Sequence, residues 1–593
     1  MTSDICEKRQ QVLDATGHVL VLGGPGSGKT TIALKKAVRL IDDGLQPGQS
    51  ILFLSFSRAA VARISEASKT EVAKTKRQQL SIQTIHSFCW ELLRSHGYLV
   101  GCPKRRLELV LPHDEKSLSG GLKPPQKGET PAAEWKAWQK ERERLFNEEG
   151  KIAFDQFAPK TAELLRRCAL IRELVVERYP VIVVDEAQDT GPDAWRCIEI
   201  LSAHNTQIIC LGDLSQQIFD HLEGVGPERI VHIQDALKPL VVDFGGQNDR
   251  SPGTEIVTFA NDIVGNVVRG APYVGVSRQM YDPKGDAAQR LRIALARVYQ
   301  LVRKATGNNP ESIGILAPSS TGVAHISAAL NGGTKPVRHK VLFDEVTVLL
   351  SARLAAFLLE PKTEQNLLSA TAKCLEMLAA VKRVAGTKTA IQTAAKYLKW
   401  AQEIAEGKPA KAQLPRAVET LVNETRTLQF TGDPGADWLQ ITRLLRKSSQ
   451  EELSRSASDL NYLVAFNRGK RIAAALSDMW INEGAYVRAR EALNTALVED
   501  QLLAGVDDLR GIHVMTIHKS KAKQFDAVII VREGQCLGPK KWQSNLIWRD
   551  DLAPYHRSRK ILRVGITRAM VHVLMLEPHY PGCPILTQHK LQL

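Results

Sequence analysis

Nine cysteines, spread from Cys6 to Cys583, form no C-x-x-C pair and have no partner histidine at metal-ligand spacing. That pattern supports neither a zinc site nor a disulfide framework, and the thiols read as reduced packing groups. No apolar run approaches the ~20 residues that a membrane-spanning helix needs. The start, Met1-Thr2-Ser3-Asp4-Ile5, lacks the charged-then-apolar order of a secretory signal, so a cytoplasmic protein with no membrane partner is expected. Acid is in short supply: 64 Asp and Glu against 79 Lys and Arg leave a net charge of +15 and a pI near 9.3. The excess suggests a polyanionic partner with nucleic acid as the default, although charge alone does not separate DNA from RNA or from solubility. With 44% hydrophobic and 24% charged residues the composition is that of an ordinary soluble protein. A chain of 593 residues exceeds one core, and roughly three to five lobes are expected.

The most informative stretch is Val19-Leu20-Val21-Leu22-Gly23-Gly24-Pro25-Gly26-Ser27-Gly28-Lys29-Thr30-Thr31. Its valine- and leucine-rich start reads as a buried parallel strand, and the apolar period from Ile32 to Ile41 as a helix stopped by Gly44. Between them G-x-x-x-x-G-K-T spans Gly23 to Thr30. Backbone free of side chains can curl there so that successive N–H groups and the helix N-terminus face a polyphosphate. Lys29 would neutralise the β and γ phosphates of a nucleoside triphosphate, and the Thr30 hydroxyl would ligate Mg2+. A glycine-rich turn with a chance lysine is the bland alternative, and it leaves the length and context of the pattern unexplained. Upstream, Gln10 can hydrogen-bond an adenine edge or stand as an exposed helix glutamine.

Ser50-Ile51-Leu52-Phe53-Leu54 reads as a second strand, followed by a helix opening at Ser55-Phe56-Ser57-Arg58. Hydroxyls and an arginine at such a turn can hold backbone phosphates, and Phe56 can stack on a base or fill a core. Thr84-Ile85-His86-Ser87-Phe88-Cys89-Trp90 is a short polar and aromatic patch with a weak local signal. From about Gly97 to Tyr179 the composition shifts to basic runs, a Gly/Pro/Lys loop and charge-laced helical pattern, read as an inserted, mostly helical subdomain. Its basic residues suit a solvated surface and DNA contact equally. The α/β pattern returns at Pro180-Val181-Ile182-Val183-Val184-Asp185-Glu186-Ala187-Gln188-Asp189-Thr190. Asp185 and Glu186 then close a buried parallel strand at its C-terminal end, where open sheets bind ligands. Asp185 can hold Mg2+ through its water shell, and Glu186 can orient and deprotonate an attacking water. Two acids closing an apolar strand would be costly without such a task, the alternative being a surface turn. The next strand, Gln207 to Leu211, runs into Gly212-Asp213-Leu214-Ser215-Gln216-Gln217-Ile218-Phe219. Gln216 could touch a γ-phosphate there and report it to Phe219 and His221, although alone it is a polar turn.

In this order, the phosphate loop, Ser55-Phe56-Ser57, Asp185-Glu186-Ala187-Gln188-Asp189-Thr190, and Gly212-Asp213 with Gln216 and Ile218-Phe219 resemble the superfamily 1 DNA helicases of the UvrD/Rep/PcrA type, to which the Asp-Glu-Ala-Gln-Asp-Thr run is particularly specific. Three later stretches fit the resemblance. Gln247-Asn248-Asp249-Arg250-Ser251 is similar to the family's Asn-Tyr-Arg-Ser station, which implies that Arg250 reaches the γ-phosphate from a second motor domain. Thr516-Ile517-His518-Lys519-Ser520-Lys521-Ala522-Lys523-Gln524-Phe525-Asp526 is similar to the fifth motif, where DNA and ribose contacts meet. Val564-Gly565-Ile566-Thr567-Arg568-Ala569 looks like the sixth, implying an arginine finger at Arg568. The implied fold is α/β, with two RecA-like P-loop motor domains and mostly helical inserted accessory subdomains. The implied catalytic residues are Lys29, Asp185, Glu186, Gln216, Arg250 and Arg568. Gly23, Gly24, Pro25, Gly26, Ser27, Gly28, Lys29, Thr30 and Thr31, with Gln10 and Gln524, would bind ATP, and Thr30 and Asp185 the metal. Ser55, Phe56, Ser57, His86, Phe219, His221, Thr516 and His518 would contact DNA.

Departures from the family pattern accompany these matches. Asp249 replaces the tyrosine that stacks on adenine, and Ala522 and Gln524 replace a glycine and a ribose-binding glutamate, so a weaker or less selective nucleotide grip is expected. His221 and Leu222 stand where an aromatic and an arginine usually face DNA, and Arg563 replaces the sixth motif's tyrosine. The resemblance implies a first motor domain at 1–96 and 170–240 with an insertion at 97–169. A second would lie at 241–360 and 502–593, with a mobile accessory insertion at 361–501. The short stretch after Ala569 is expected to leave no room for an appended nuclease. The expected activity is an ATP-dependent translocase on single-stranded DNA, moving 3′ to 5′ and unwinding duplex, as in DNA repair. A rival is a nucleotide-gated DNA sensor that licenses a separate nuclease, as in antiphage defence, with little unwinding of its own. A DNA-binding scaffold with a dead motor is the third reading, opposed by the filled set of charged hydrolysis roles.

Overall fold

The computed structural model describes residues 6–103, 107–120, 122, 124–125, 129–213, 227–245, 250–332, 336–342, 346–384, 387–463, 468–502, 510–521, 523–538, 541–548 and 551–592. In chain order the strands are β1 (Val19–Leu22), β2 (Ile51–Ser55), β3 (Leu80–Thr84), β4 (Glu108–Val110), β5 (Lys151–Ala153), β6 (Val181–Asp185), β7 (Gln207–Gly212) and β8 (Leu240–Asp243). They continue as β9 (Val276–Tyr281), β10 (Ser312–Ala317), β11 (Lys340–Leu342), β12 (Gly511–Thr516), β13 (Phe525–Val531), β14 (Gly534–Gly538), β15 (Lys541–Ser544) and β16 (Ala569–Pro578). The chain separates into two compact units, one made of Met1–Val100, Ala158–Phe343 and Ala504–Leu593, the other of Gly101–Phe157 and Asp344–Leu503. That division is coarser than the four expected segments.

The first unit holds two six-stranded sheets. One runs β3-β2-β6-β7-β1-β8 and the other β11-β12-β10-β13-β16-β9, and every pairing in both is parallel. Parallel sheets need cover on both faces, which explains why β2, β6 and β10 are buried at every position and read as unbroken apolar runs. The helix Lys29–Asp42 supplies part of that cover, burying Ile32, Ala33, Leu34, Ala37 and Ile41. These residues follow the three-and-four spacing of one helical face. In the first sheet the connection leaving β2 runs outward to β3, whereas that leaving the adjacent β6 runs the other way to β7. That reversal opens a crevice beyond the carboxyl ends of the strands. Register fixes which residues meet there: Leu22 is level with Gly212, and Ser55 with Asp185. In the second sheet Leu316, Met515, Phe525, Val528 and Ile530 pack with Phe259, Ile561 and Val564 of the flanking helices.

The second unit is mostly helical and among its described residues holds one short parallel pair, β4 and β5. Its centre is the helix Val346–Leu359, apolar almost all round and buried at Leu350, Ala352, Leu354, Ala355, Ala356, Leu358 and Leu359. A helix apolar on every side must be surrounded, and this one packs against Leu367–Arg383, Pro434–Lys447, Glu451–Leu463 and Ala489–Leu502. It therefore sits in the helical unit, although the expected second motor domain extended to residue 360. Arg353 is its one cation. The Asp114 carboxylate takes both of its Nη atoms, and Asn494 Oδ1 accepts from Nη2 at 2.9 Å. Among the described residues no helix is long and apolar enough to cross a membrane.

Candidate nucleotide site

The loop after β1 is pinned to the strands on either side. The Gly23 N–H donates to the Gly212 carbonyl at 3.2 Å and the Gly24 N–H to the Gly245 carbonyl at 3.3 Å. Gly26 and Gly28 both take φ +81°, a left-handed conformation open to glycine at little cost. Gly28 is the N-cap of Lys29–Asp42, which leaves first-turn N–H groups without partners inside the helix. The Lys29 ammonium turns back onto the loop, donating to the carbonyls of Gly23 at 2.6 Å and Gly24 at 2.9 Å. Burial lowers its pKa, while Asp213, Glu186 and Asp185 pull the other way.

The strand β6 delivers Asp185, and the chain then turns sharply, with Glu186 at φ +54°. That is a strained conformation for a residue with a side chain. A hydrogen-bond relay secures the turn: Gln188 Nε2 donates to Glu186 Oε2 at 2.6 Å, and Gln188 Oε1 accepts from the Asp213 N–H at 3.1 Å. The adjacent carboxyls are driven apart electrostatically. Burial raises the Asp185 pKa against the opposing Arg63 guanidinium. Burial also acts to raise Glu186, but Lys521, Arg63 and Lys29 with the Gln188 hydrogen bond outweigh it and hold Glu186 well below the usual carboxylate range.

The second sheet faces these groups with arginines. Arg250 Nη1 donates to the Thr567 carbonyl at 3.1 Å, and the Gln524 amide, oriented oxygen inward, accepts from Arg250 Nη2 at 3.2 Å and Nε at 3.0 Å. Burial lowers the Arg250 pKa to about 10. Arg568 is 1% exposed. Its Nε donates to the Val564 carbonyl at 2.9 Å and its Nη2 to Thr567 Oγ1 at 3.0 Å, and burial lowers its pKa well below the usual value. Lys521 forms an ion pair with Asp189, so the two sheets are joined by opposite charges as well. Burial raises Asp189 to about 6 despite that partner. A cavity of ≈ 410 Å³ is lined by residues 25–31 together with Arg63, Asp185, Glu186, Arg250 and Gln524.

Other expected site residues are placed more diversely. Gln10 is engaged on its own helix, donating from Nε2 to Asp14 Oδ1 and Oδ2 at 3.0 Å, and its neighbour Arg9 lines the cavity instead. Ser55 is fully buried with no hydrogen-bond partner for its hydroxyl, and Ser57 caps the helix Arg58–Glu71 by accepting from the Ala60 N–H at 3.1 Å. Phe56 stays 37% exposed and meets His86 edge-on, ring centres 6.3 Å apart. Thr516 Oγ1 accepts from the Lys519 N–H at 3.4 Å, and His518 lies edge-on to Trp548 at 5.2 Å. Gln216, Phe219 and His221 lie outside the described residues, as do Leu222, Asp249 and Ala522. Sequence reasoning missed Arg9, Arg63 and Trp548 as parts of these clusters. For Arg63 a signal existed: it falls between Ala60 and Ala67 at helical spacing, a lone cation on a face of small residues.

Two parallel α/β sheets of RecA type meeting at a phosphate loop define a P-loop nucleoside triphosphatase. The UvrD/REP helicase N-terminal domain family matches residues 6–122 and 107–231, and that match together with the relatives below supports a superfamily 1 helicase of the UvrD/Rep/PcrA type, a class of ATP hydrolases. Over 632 aligned residues it is 22% identical to YjcD of Bacillus subtilis, named as an ATP-dependent DNA helicase, covering 98% of this chain and 78% of that one. It is 27% identical to DNA helicase II of Haemophilus influenzae and 22% to the ATP-dependent DNA helicase PcrA of Staphylococcus aureus. Each of these two alignments covers 44% of this chain and 40% of the relative.

Proposed function

We propose that this chain is an ATP-driven motor that tracks along single-stranded DNA and unwinds duplex ahead of it, 3′ to 5′ as the family resemblance implies. One observation carries the reading: a single cavity receives the phosphate loop and two carboxylates from one sheet and Arg250 from the other. In this reading Lys29 releases the loop carbonyls and takes the β and γ phosphates, while the N–H groups after Gly28 face the remaining oxygens. Glu186, held ionised and oriented by Gln188, positions the attacking water and accepts its proton. Arg250 and Arg568 supply positive charge to the transition state from the far sheet, so that hydrolysis depends on the sheets closing over the nucleotide. Gln216 completes the set as a γ-phosphate contact. Thr30 and Asp185 fit Mg2+, being hard oxygen donors on the phosphate side of the cavity. When bound, it would neutralise charge on the phosphates.

The aromatic pairs Phe56–His86 and His518–Trp548 suit stacking on bases of a DNA strand, and the net charge of +15 suits its backbone. The rival reading, a sensor that licenses a separate nuclease, gains no support from the relatives above, all named as helicases. The deciding experiment is steady-state ATP hydrolysis with and without single-stranded DNA, alongside Glu186→Gln and Arg568→Ala. DNA stimulation that both substitutions reduce at least about 100-fold is expected, followed by unwinding of 3′-tailed but not 5′-tailed duplex. Hydrolysis indifferent to DNA would overturn the motor reading.

A further inference from the structure

Asp185 has a counter-ion that the hydrolysis scheme above does not use. Arg63, on the helix Arg58–Glu71 that follows β2, places Nη2 3.0 Å from Asp185 Oδ2. The Asp185 side chain is 4% exposed and the Arg63 side chain 22%, the latter opening onto the cavity of the phosphate loop. Arg63 Nε is buried and has no hydrogen-bond partner, so the guanidinium holds one carboxylate oxygen with part of its donor fork unused. Its charge is felt across the site, by Lys29, Glu186, Arg250 and Arg568 as well as by Asp185.

A guanidinium paired with Asp185 disfavours a divalent cation at the same carboxylate, because their like charges repel strongly in a buried site. We infer that Arg63 is an exchangeable counter-ion: it neutralises Asp185 while the cavity holds no nucleotide, and it yields that carboxylate to the cation arriving with ATP and turns its freed donors onto the γ-phosphate. The inference rests on the ATP-hydrolase reading. It explains why a buried Asp185 is tolerated before metal arrives, and why a long, partly exposed arginine rather than a fixed packing residue lies against it.

The test uses the full chain with Arg63→Ala, Arg63→Lys and Asp185→Asn. Binding of Mn2+ to nucleotide-free protein is followed by electron paramagnetic resonance, and binding of ATPγS and ADP by calorimetry. Arg63→Ala is expected to bind Mn2+ roughly tenfold more tightly than wild type, a gain that Asp185→Asn in the same chain removes. ATPγS should weaken roughly tenfold or more while ADP changes less than about threefold, and Arg63→Lys should fall between. Unchanged Mn2+ affinity in a folded Arg63→Ala protein overturns the counter-ion role. Equal weakening of ATPγS and ADP overturns the turn onto the γ-phosphate. Should wild type bind neither nucleotide, the hydrolase reading itself fails, which is a distinguishable result.

Discussion

Replacing Lys521 by methionine removes the positive half of the buried pair that joins the two sheets of the motor unit. The side chains of Lys521 and Asp189 are 10% and 1% exposed, and truncating one partner of such a pair costs about 3–5 kcal/mol because a buried charge is left unmatched. Melting of the motor unit should fall on the order of 10 °C. The cost has a definite pH dependence. Burial raises Asp189 from 3.8 to about 6 even with Lys521 as the largest opposing influence, and without the lysine it rises further. A carboxyl that binds its proton more tightly when folded is stabilising below its ordinary value and loses that stability as pH rises through its folded value. The deficit of Lys521→Met is therefore expected to be small near pH 5 and largest near pH 8. Lys521 is also the foremost cation lowering Glu186, so the acid limb of the hydrolysis profile should move to higher pH. Thermal melts of Lys521→Met, Asp189→Asn and the double variant at both pH values complete a cycle, and the double variant should recover much of the loss. A double variant no more stable than Lys521→Met, or a deficit equal at both pH values, would refute the reasoning.

Phe56→Ala is expected to weaken single-stranded DNA binding by about 1–3 kcal/mol through lost stacking while leaving the salt dependence near wild type, as fluorescence anisotropy across a salt series would read. Gly432→Ala tests the helical unit: an added Cβ would lie 2.3 Å from Trp480 Nε1 at a φ of +82°, so melting of that unit should fall while nucleotide binding is retained. Gly23→Ala would place a Cβ 2.6 Å from Ser27 Oγ, and ATPγS affinity should drop at least roughly tenfold through distortion of the phosphate loop.

Much of the motor unit was legible because its strands are buried on both faces, where sheet geometry and hydrophobicity give the same unbroken apolar signal. Val181 to Val184 announce a strand, and acids directly after such a run announce its ligand-binding end. The glycines of the phosphate loop were legible for a backbone reason, since Gly26 and Gly28 occupy left-handed conformations. What escaped depends on groups distant in sequence. Arg63 meets Asp185 across 122 positions and Lys521 meets Asp189 across 332, separations at which no local pattern speaks. Gln10 sat in the right helix, but which of two neighbouring side chains turned toward the cavity depended on Asp14 capturing the glutamine. The apolar helix Val346–Leu359 has no polar face, so its periodicity could not say which unit would surround it.

The order of strands in the first sheet has a consequence for the growing polypeptide. Val19 of β1 aligns with Ile209 of β7 and Leu240 of β8, and β1 has no other neighbours in its sheet. At a synthesis rate of ~5–20 residues per second, both edges of β1 stay open on the ribosome for on the order of ten to forty seconds. A nascent chain halted before Gly212 would carry every residue of the phosphate loop and lack the carbonyl that anchors the Gly23 N–H. The phosphate loop is thus fully anchored only in chains long enough to have closed the sheet, while the apolar Val19–Leu22 segment is until then a target for chaperones and for other open strands.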